Sequence, residues 1–237
     1  MQPELEVITK EIPAKGKGYI LIRKCWPDQV DEAVRQGARK LLGEGATSIY
    51  AASTDPSAPL CEGAGEGYRL EFRHDMLGME RALDPGRPRP EGRLTLEPLT
   101  REKGGQFLAI YNASFFDVPN SATYGRDDLA QILGPEYRCG FALLDGVPVG
   151  IYECGFKKEN PEIGSIGLTK DARGKGLGRE LLLSVMDMLS DMGCTRVWLQ
   201  VSTANESAYP LYRSVGFVQE RLLSHWYEVI SEGDLLA

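Results

Sequence analysis

Hydrophobic and polar positions along the chain alternate between strand-like and helix-like periodicity. The strongest helical pattern covers residues 177–192, where apolar residues recur three and four positions apart. This apolar stripe consists of Leu177, Leu181, Leu182, Val185, Met188, Leu189 and Met192. Gly193 follows at the position where helices commonly end. We therefore predict a long amphipathic helix here.

The clearest pair of strands covers residues 138–144 and 147–156. Asp145 and Gly146 join the two runs, and this dipeptide tolerates the positive φ angles that tight hairpin turns require. The pattern predicts a two-stranded antiparallel hairpin.

The remaining segments continue the alternation of strands and helices. In the first half we predict strands at 18–23, 48–52 and 68–73, a helix at 28–42 and a loop at 53–67. In the second half we predict strands at 93–99, 163–169, 196–201 and 218–229, and helices at 102–116, 127–133 and 206–215. Thr100 stands where the N-cap of the 102–116 helix would lie. The whole pattern predicts a mixed α/β protein.

A candidate domain boundary lies at residues 84–92, where three of nine residues are proline and two are glycine. At about 150 residues per domain, 237 residues correspond to about 1.6 domains. We predict a smaller domain at 1–92 and a larger one at 93–237. Residues 45–50 resemble residues 193–198, each following a predicted helix. The first domain is therefore interpreted as a degenerate half copy of the second, with chance similarity as the alternative.

The amino-acid composition and the charge exclude several kinds of protein and of partner. With 42% hydrophobic and 26% charged residues the chain can bury a core, and its net charge of −7 argues against a nucleic-acid partner. Five widely spaced cysteines and two histidines support neither a disulfide framework nor a zinc site. Glu4 and Glu6 stand where a signal peptide would be basic, and no apolar run is long enough for a membrane span. We predict a cytoplasmic protein without a metal.

A glycine-rich loop precedes the long helix. Residues 166–179 read as a strand, a loop with Gly174, Gly176 and Gly178, and the start of the helix. The first turn of a helix presents N–H groups without helical partners, and glycines let an anion approach them. Arg173, Lys175 and Arg179 supply mobile positive charge nearby. The spacing fits neither the dinucleotide fingerprint nor the Walker loop. A pyrophosphate site or a plain glycine turn remain as interpretations.

A second motif follows 27 residues after Gly178, and it decides between these interpretations. The loop reads Arg-x-x-Gly-x-Gly at Arg173, Gly176 and Gly178. The second motif comprises Asn205, Ala208, Leu211, Tyr212, Gly216 and Phe217. Together the motifs resemble the GNAT acetyltransferase superfamily, specifically over residues 163–217 and in element order over 93–237. The resemblance implies a GNAT acyltransferase fold, with a mixed sheet, preceded by the smaller α/β domain.

The resemblance also implies acetyl transfer from acetyl-CoA to a primary amine by direct attack. Backbone groups of Leu168, Thr169 and Lys170 would hold the pantetheine arm, although many relatives have proline where Lys170 stands. The pyrophosphate would contact the N–H groups of Gly174, Lys175, Gly176, Leu177, Gly178 and Arg179. Asn205 would contact pantetheine, Tyr212 would protonate the departing thiolate, and the Leu168 N–H would stabilise the oxyanion.

Three candidates remain for the general base. Glu162, just before the fourth strand of the family's sheet, is our first choice, and a solvated carboxylate is the alternative interpretation. Gln200 occupies the fifth-strand position where other members have a glutamate, and an amide cannot act as a base. Glu153 on the third strand is the second choice, and a water chain is the third.

Other candidates receive structural interpretations. We expect Cys154 and Cys194 to be inert, without a ping-pong role, and His225 and Trp226 to be ordinary strand residues. The expected partner is a small-molecule or peptide amine, and the protein is expected to be a monomer or homodimer. A non-catalytic module that binds or senses acyl-CoA is the alternative function.

Overall fold

The protein folds as a mixed α/β chain with two compact units. The structure, a computed structural model, describes residues 3–86, 92–157 and 159–233. The first unit comprises Met1–Leu77, Ser202–Ala204 and Leu222–Ala237, and the second comprises Gly78–Val201 and Asn205–Arg221. The predicted fold class is confirmed. The predicted boundary at 84–92 remains a prediction, and residues 87–91 of it lie outside the described residues.

The first unit is built from the N-terminal elements and the end of the chain. Its elements are β1 (Glu4–Ile8), α1 (Ile12–Lys15), β2 (Lys17–Lys24), α2 (Val30–Gly43), β3 (Ser48–Ser53), β4 (Gly63–Gly65) and the first part of β5 (Tyr68–Ala82). β1 pairs antiparallel with β2, and β2 pairs parallel with β3. The apolar face of α2 contributes Val34, Ala38 and Leu41 to a buried core.

The second unit contains the remaining elements. These are β6 (Leu94–Pro98), α3 (Gly104–Phe115), α4 (Arg126–Ile132), β7 (Tyr137–Leu144), β8 (Val147–Gly155), β9 (Glu162–Leu168), α5 (Leu177–Asp191), β10 (Arg196–Ser202), α6 (Ala208–Ser214) and β11 (Val218–Ser231), whose second part belongs to the first unit. β6, β7, β8 and β9 pair antiparallel in chain order, and β9 then pairs parallel with β10. No helix in the described ranges is long and apolar enough to span a membrane.

Two helices form the hydrophobic layers of the second unit. On one side Phe107 and Tyr111 of α3 pack with Phe141 of β7 and Ile151 of β8. The stripe predicted for α5 is buried at Leu177, Leu181, Leu182, Val185 and Leu189. Met188 is only half-buried, and Met192 is exposed because the helix ends at Asp191. Gly193 adopts a φ of 87° and donates its N–H to the Ser190 carbonyl, as the predicted helix end requires.

The structure confirms the hairpin and corrects several boundaries. Asp145 and Gly146 have φ angles of 52° and 79°, the positive values that the tight turn needs. Thr100 is not an N-cap, because α3 begins at Gly104 and the Thr100 carbonyl instead accepts a turn hydrogen bond from the Lys103 N–H. The predicted 53–67 loop contains β4, and β5 extends to Ala82 instead of ending at residue 73. β1 and α1 were not predicted.

Candidate functional site

An opening lies between the carboxyl ends of β9 and β10. The two parallel strands pair only at Trp198 with Glu162 and at Leu199 with Ile163. Beyond these pairs the two strands, both fully described, make no further cross-strand pair. The edge of β9 that faces β10 is therefore available for a ligand along the second half of the strand.

The glycine loop carries the chain from β9 into α5. A short 3-10 helix, Lys170–Ala172, follows the strand, and Gly174 and Gly176 then adopt φ angles of 74° and 77°. These left-handed conformations strongly favour glycine. The first helical bond runs from the Glu180 N–H to the Gly176 carbonyl. The N–H groups from Gly174 to Arg179 donate to no acceptor within the described residues, which suits an anion.

Gly178 is not required by the packing of the protein itself. A Cβ atom there would lie 3.7 Å from the Leu168 side chain and 3.8 Å from that of Leu211, which are ordinary contacts. Its φ angle does not lie in the left-handed region. The absence of a side chain therefore leaves the backbone N–H groups at the helix N-terminus uncovered on this side, and such a terminus is compatible with the pyrophosphate of CoA.

Arg173 is held in place, contrary to the expectation that it supplies mobile charge. Its Nε donates to the Leu168 carbonyl at 3.2 Å, and its second guanidinium nitrogen donates to the Ser114 carbonyl at 3.2 Å. The Ser114 hydroxyl also donates to the Leu168 carbonyl, at 3.1 Å. Arg173 thus fastens the end of β9 to the end of α3 and fixes the start of the loop.

Replacing Arg173 by lysine should therefore weaken acetyl-CoA binding although the charge is retained. A single ammonium cannot hold both carbonyls as the planar guanidinium does. We expect the dissociation constant, measured by calorimetry, to rise about tenfold, corresponding to loss of one charged hydrogen bond. Arg179→Lys is the matched control, because the Arg179 contacts to Ser214 are long, at 3.5 and 3.4 Å. Equal affinities for the two variants would contradict a positioning role for Arg173.

Some of the backbone groups that are predicted to bind pantetheine already form hydrogen bonds within the protein. The Thr169 N–H donates to the Val149 carbonyl at 2.9 Å, and the Thr169 and Lys170 carbonyls accept the N–H groups of Ala172 and Arg173. The remaining backbone N–H and carbonyl groups of this segment are therefore the ones available for contacts with a ligand. The predicted roles of Leu168, Thr169 and Lys170 stay predictions.

Two residues that the sequence motifs did not indicate also hold the loop. Arg93 donates from Nε to a Glu180 carboxylate oxygen at 3.0 Å and from its second guanidinium nitrogen to the Lys175 carbonyl at 3.2 Å. The other Glu180 oxygen accepts the Leu94 N–H at 2.7 Å. Arg93 and Glu180 are far apart in sequence, so no local signal links them. Together they fix β6 and the loop to the first turn of α5.

Helix α6 places the second motif beside the start of α5. Leu211 lies near Gly178, as its side chain would contact a Cβ there. The side-chain oxygen of Asn205 accepts hydrogen bonds from the Ala208 N–H at 3.1 Å and the Ser207 hydroxyl at 3.0 Å. Asn205 therefore supports the first turn of α6, and its predicted ligand contact stays a prediction.

Tyr212 lies in α6 with only 9% of its surface exposed. Its ring contacts Phe217, with the centroids 5.8 Å apart. Burial raises the pKa of Tyr212 to about 12. Its hydroxyl is therefore protonated at neutral pH and can donate a hydrogen bond.

A separate cavity of about 210 Å³ brings two carboxylates together. It is lined by Tyr137, Glu153, Gly155, Lys157, Glu162 and Gly164. Glu162 is the first residue of β9, not a residue before the strand, and Gln200 donates its side-chain N–H to Glu162 at 3.0 Å. Glu153 is 6% exposed, and burial, assisted by the nearby charge of Glu162, raises its pKa to about 7. The first and second choices for the base thus share one cavity.

The remaining candidates behave as structural residues, with one exception. Cys154 is buried and Cys194 is half-buried, and burial raises the pKa of both thiols, so neither is an activated nucleophile. Trp226 is buried against Tyr19 as expected for strand packing. His225 is exposed instead, and its Nδ1 lies 2.6 Å from an Asp75 carboxylate oxygen.

Comparisons with known proteins agree with the fold and the motifs. Residues 105–217 match the family described as the acetyltransferase (GNAT) family. A mycothiol acetyltransferase of Pseudarthrobacter chlorophenolicus is 30% identical over 142 residues, which cover 55% of this chain and 44% of the relative. A ribosomal protein bS18-alanine N-acetyltransferase of Escherichia coli K12 is 35% identical over 63 residues, covering 27% of this chain and 43% of the relative. The chain thus spans less than half the length of each of these relatives.

A solved structure of similar fold is the GCN5-related N-acetyltransferase from Sphaerobacter thermophilus. It has a TM-score of 0.63 and 17% sequence identity, and the match covers 95% of this chain and 74% of that one. At this identity the similarity concerns the fold alone.

Proposed function

Residues 105–217 are a GNAT acetyltransferase domain, and on this premise we propose that the protein transfers an acetyl group from acetyl-CoA to a primary amine. The observation that carries the proposal is the row of N–H groups from Gly174 to Arg179, beside the unpaired edge of β9. That arrangement suits a pyrophosphate next to an extended arm. Each hydrogen bond to a charged group contributes about 1.5–3 kcal/mol, so three or four donors can dominate cofactor affinity.

The residues around the loop have complementary roles in this proposal. Backbone groups of Leu168, Thr169 and Lys170, with Asn205, would orient the pantetheine arm, and the Leu168 N–H would stabilise the oxyanion. Bound acetyl-CoA supplies the thioester that the amine attacks. No metal and no covalent enzyme intermediate are needed for this direct transfer.

Removing a proton from the acceptor is the first chemical requirement. An amine with a pKa near 10.4 is mostly an ammonium ion at pH 7, and deprotonating it costs about 4.6 kcal/mol. A carboxylate in the Glu153 and Glu162 cavity can accept that proton, and the pair also attracts a cation. Glu162 was the sequence-based choice for this role.

Departure of CoA is the second requirement. Because burial keeps Tyr212 protonated, its hydroxyl can donate to the leaving sulfur. Full transfer from a group of pKa about 12 to a thiolate of pKa about 8.5 is uphill. Tyr212 therefore acts best when the amine loses its second proton in the same step.

The test is acetylation of a panel of primary amines, followed by mass spectrometry of the products and of released CoA. The panel contains a peptide beginning with alanine, spermidine and an aminoglycoside. We expect amide formation with at least one amine and equal amounts of free CoA. Tight CoA binding without any amide product would favour the sensing module instead.

A further inference from the structure

A β-bulge in β9 brings Glu162 to the same face of the sheet as Glu153. Glu153 pairs with Ser165, whereas Cys154 pairs with Ile163 and Gly155 with Glu162, so Gly164 is an extra residue in β9. In a regular strand, residues 162 and 165 would face opposite sides because side chains alternate. The bulge reverses this relation and directs Glu162 into the cavity of Glu153.

Gly164 also provides the room that Glu153 uses. A Cβ atom at Gly164 would lie 3.2 Å from a Glu153 carboxylate oxygen, closer than ordinary contact. The extra residue therefore both turns Glu162 inward and leaves space for the second carboxylate. Bulges commonly redirect side chains next to active sites in this way.

Tyr124 holds the buried carboxylate in position. Its hydroxyl lies 3.1 and 3.3 Å from the two Glu153 oxygens. Its ring stacks on Tyr111 with centroids 3.8 Å apart, and its backbone exchanges hydrogen bonds with the Asn112 side chain at 2.8 and 3.0 Å. A tyrosine fixed at its ring and its backbone leaves Glu153 little freedom to turn away.

The groups that surround Glu153 shift its pKa in opposite directions. Burial is the largest influence on its pKa and raises it, and the charges of Glu162 and Asp128 raise it further. Hydrogen bonds from Tyr124 and Ser165 lower it. Tyr137 and Lys157 also line the cavity, and the charge of Glu153 contributes to raising the pKa of Tyr111, Cys139 and Cys154. The resulting pKa of about 7 suits a base that works near neutral pH.

We propose that Glu153 accepts the proton of the acceptor amine, that Glu162 binds the ammonium at the more exposed side of the cavity, and that Tyr124 is a positioning residue for Glu153. The inference deepens the proposed function and rests on it. An N–H bond of the ammonium breaks, its electron pair stays on nitrogen, and an O–H bond forms on Glu153. The amine then forms the C–N bond as C–S breaks, and its second proton reaches the thiolate by way of Tyr212.

The environment makes Glu153 a better acceptor than an ordinary carboxylate. The difference between the pKa of the amine and that of its acceptor falls from about 6 to about 3.4 when the acceptor's pKa is about 7. Glu162, which is more exposed and hydrogen-bonded by Gln200, can meet the substrate first.

The experiment measures kcat and kcat/KM against pH for Glu153→Gln, Glu162→Gln and Tyr124→Phe, with the best amine of the panel. Exposed Glu220→Gln is the matched control. Using one amine throughout keeps its own ionisation the same in every profile. We expect Glu153→Gln to lower kcat by about 10²-fold and to remove the fall in activity below about pH 7.

The other two variants should shift the acidic limb of the pH profile, which is the fall in activity below about pH 7, in opposite directions. Glu162→Gln removes a negative charge, so the pKa of Glu153 falls and the limb moves to lower pH, while KM for the amine rises about tenfold. Tyr124→Phe removes a hydrogen bond that lowers the pKa, so the limb moves to higher pH. A purely structural role for Tyr124 predicts no shift. This pair of shifts tests the inference even if Glu153→Gln does not fold.

Three outcomes overturn the inference, and they are distinguishable. If the wild-type protein acetylates no amine in the panel, the proposed function fails and the inference fails with it. If the wild type is active, but Glu153→Gln retains kcat and the acidic limb, only the inference fails. Loss of the limb in Glu162→Gln would assign the base to Glu162 instead.

Discussion

Replacing Gly178 by aspartate is expected to weaken acetyl-CoA binding about 10³-fold without destabilising the fold. Losing about three hydrogen bonds at 1.5 kcal/mol each, the lower end of the range for charged partners, gives this magnitude. Gly178 is the second residue of α5, where an aspartate interacts favourably with the helix dipole. The same negative charge repels a pyrophosphate and occupies its space. Calorimetric titration with acetyl-CoA measures the loss, and chemical denaturation measures the stability.

A matched control exists in the same unit. Gly105 is the second residue of α3, and a Cβ there would have no heavy atom within 4 Å. Gly105→Asp adds the same charge at the same helical position, so it should leave acetyl-CoA affinity unchanged. Gly178→Ala should have an intermediate effect, because its Cβ takes up part of the space but brings no charge. Equal affinity in Gly178→Asp and Gly105→Asp would refute the pyrophosphate site.

Features that depend on a few neighbouring residues could be predicted from the sequence. The Asp145 and Gly146 turn and the left-handed glycines before α5 follow from local backbone preferences, and the buried stripe of α5 follows from the spacing of its apolar residues. β1 also had a readable signal, because its residues alternate between glutamate and apolar side chains. Such an alternation is typical of a half-buried strand, although no strand is predicted there in the sequence analysis.

Features that depend on strand register could not be predicted. β4 is a Gly-Ala-Gly segment with no strand propensity, and it is a strand because its backbone pairs with β5. The bulge at Gly164 is visible only from the pairing of β8 with β9. The position of Glu162 next to a predicted strand makes it a candidate for the general base, but nothing in the sequence indicates that it lies close to Glu153. Tyr124 belongs to no motif and was missed for the same reason.

Tyr212→Phe should lower kcat about 10³-fold while acetyl-CoA affinity and stability remain nearly unchanged. A general acid contributes about 10²–10⁴-fold, and the substitution removes only the hydroxyl that would donate to the leaving sulfur. The ring contact with Phe217 is retained. Because the pKa of Tyr212 is raised to about 12, the hydroxyl stays protonated throughout the assay range. Wild-type activity should therefore show no alkaline fall that can be assigned to Tyr212.

Tyr209→Phe is the control, since it makes the same change on the same helix at a half-buried position. Steady-state kcat for both variants, with calorimetric affinity for acetyl-CoA, separates catalysis from binding. A fall in kcat confined to Tyr212→Phe, with unchanged affinity, is the result expected of a proton donor. If the affinity falls and kcat does not, Tyr212 contributes to holding the cofactor, and protonation of CoA must come from solvent. An equal effect in both variants would mean that the Tyr212 hydroxyl has no specific role, because Tyr209 is half-buried and is not one of the residues that define the motif.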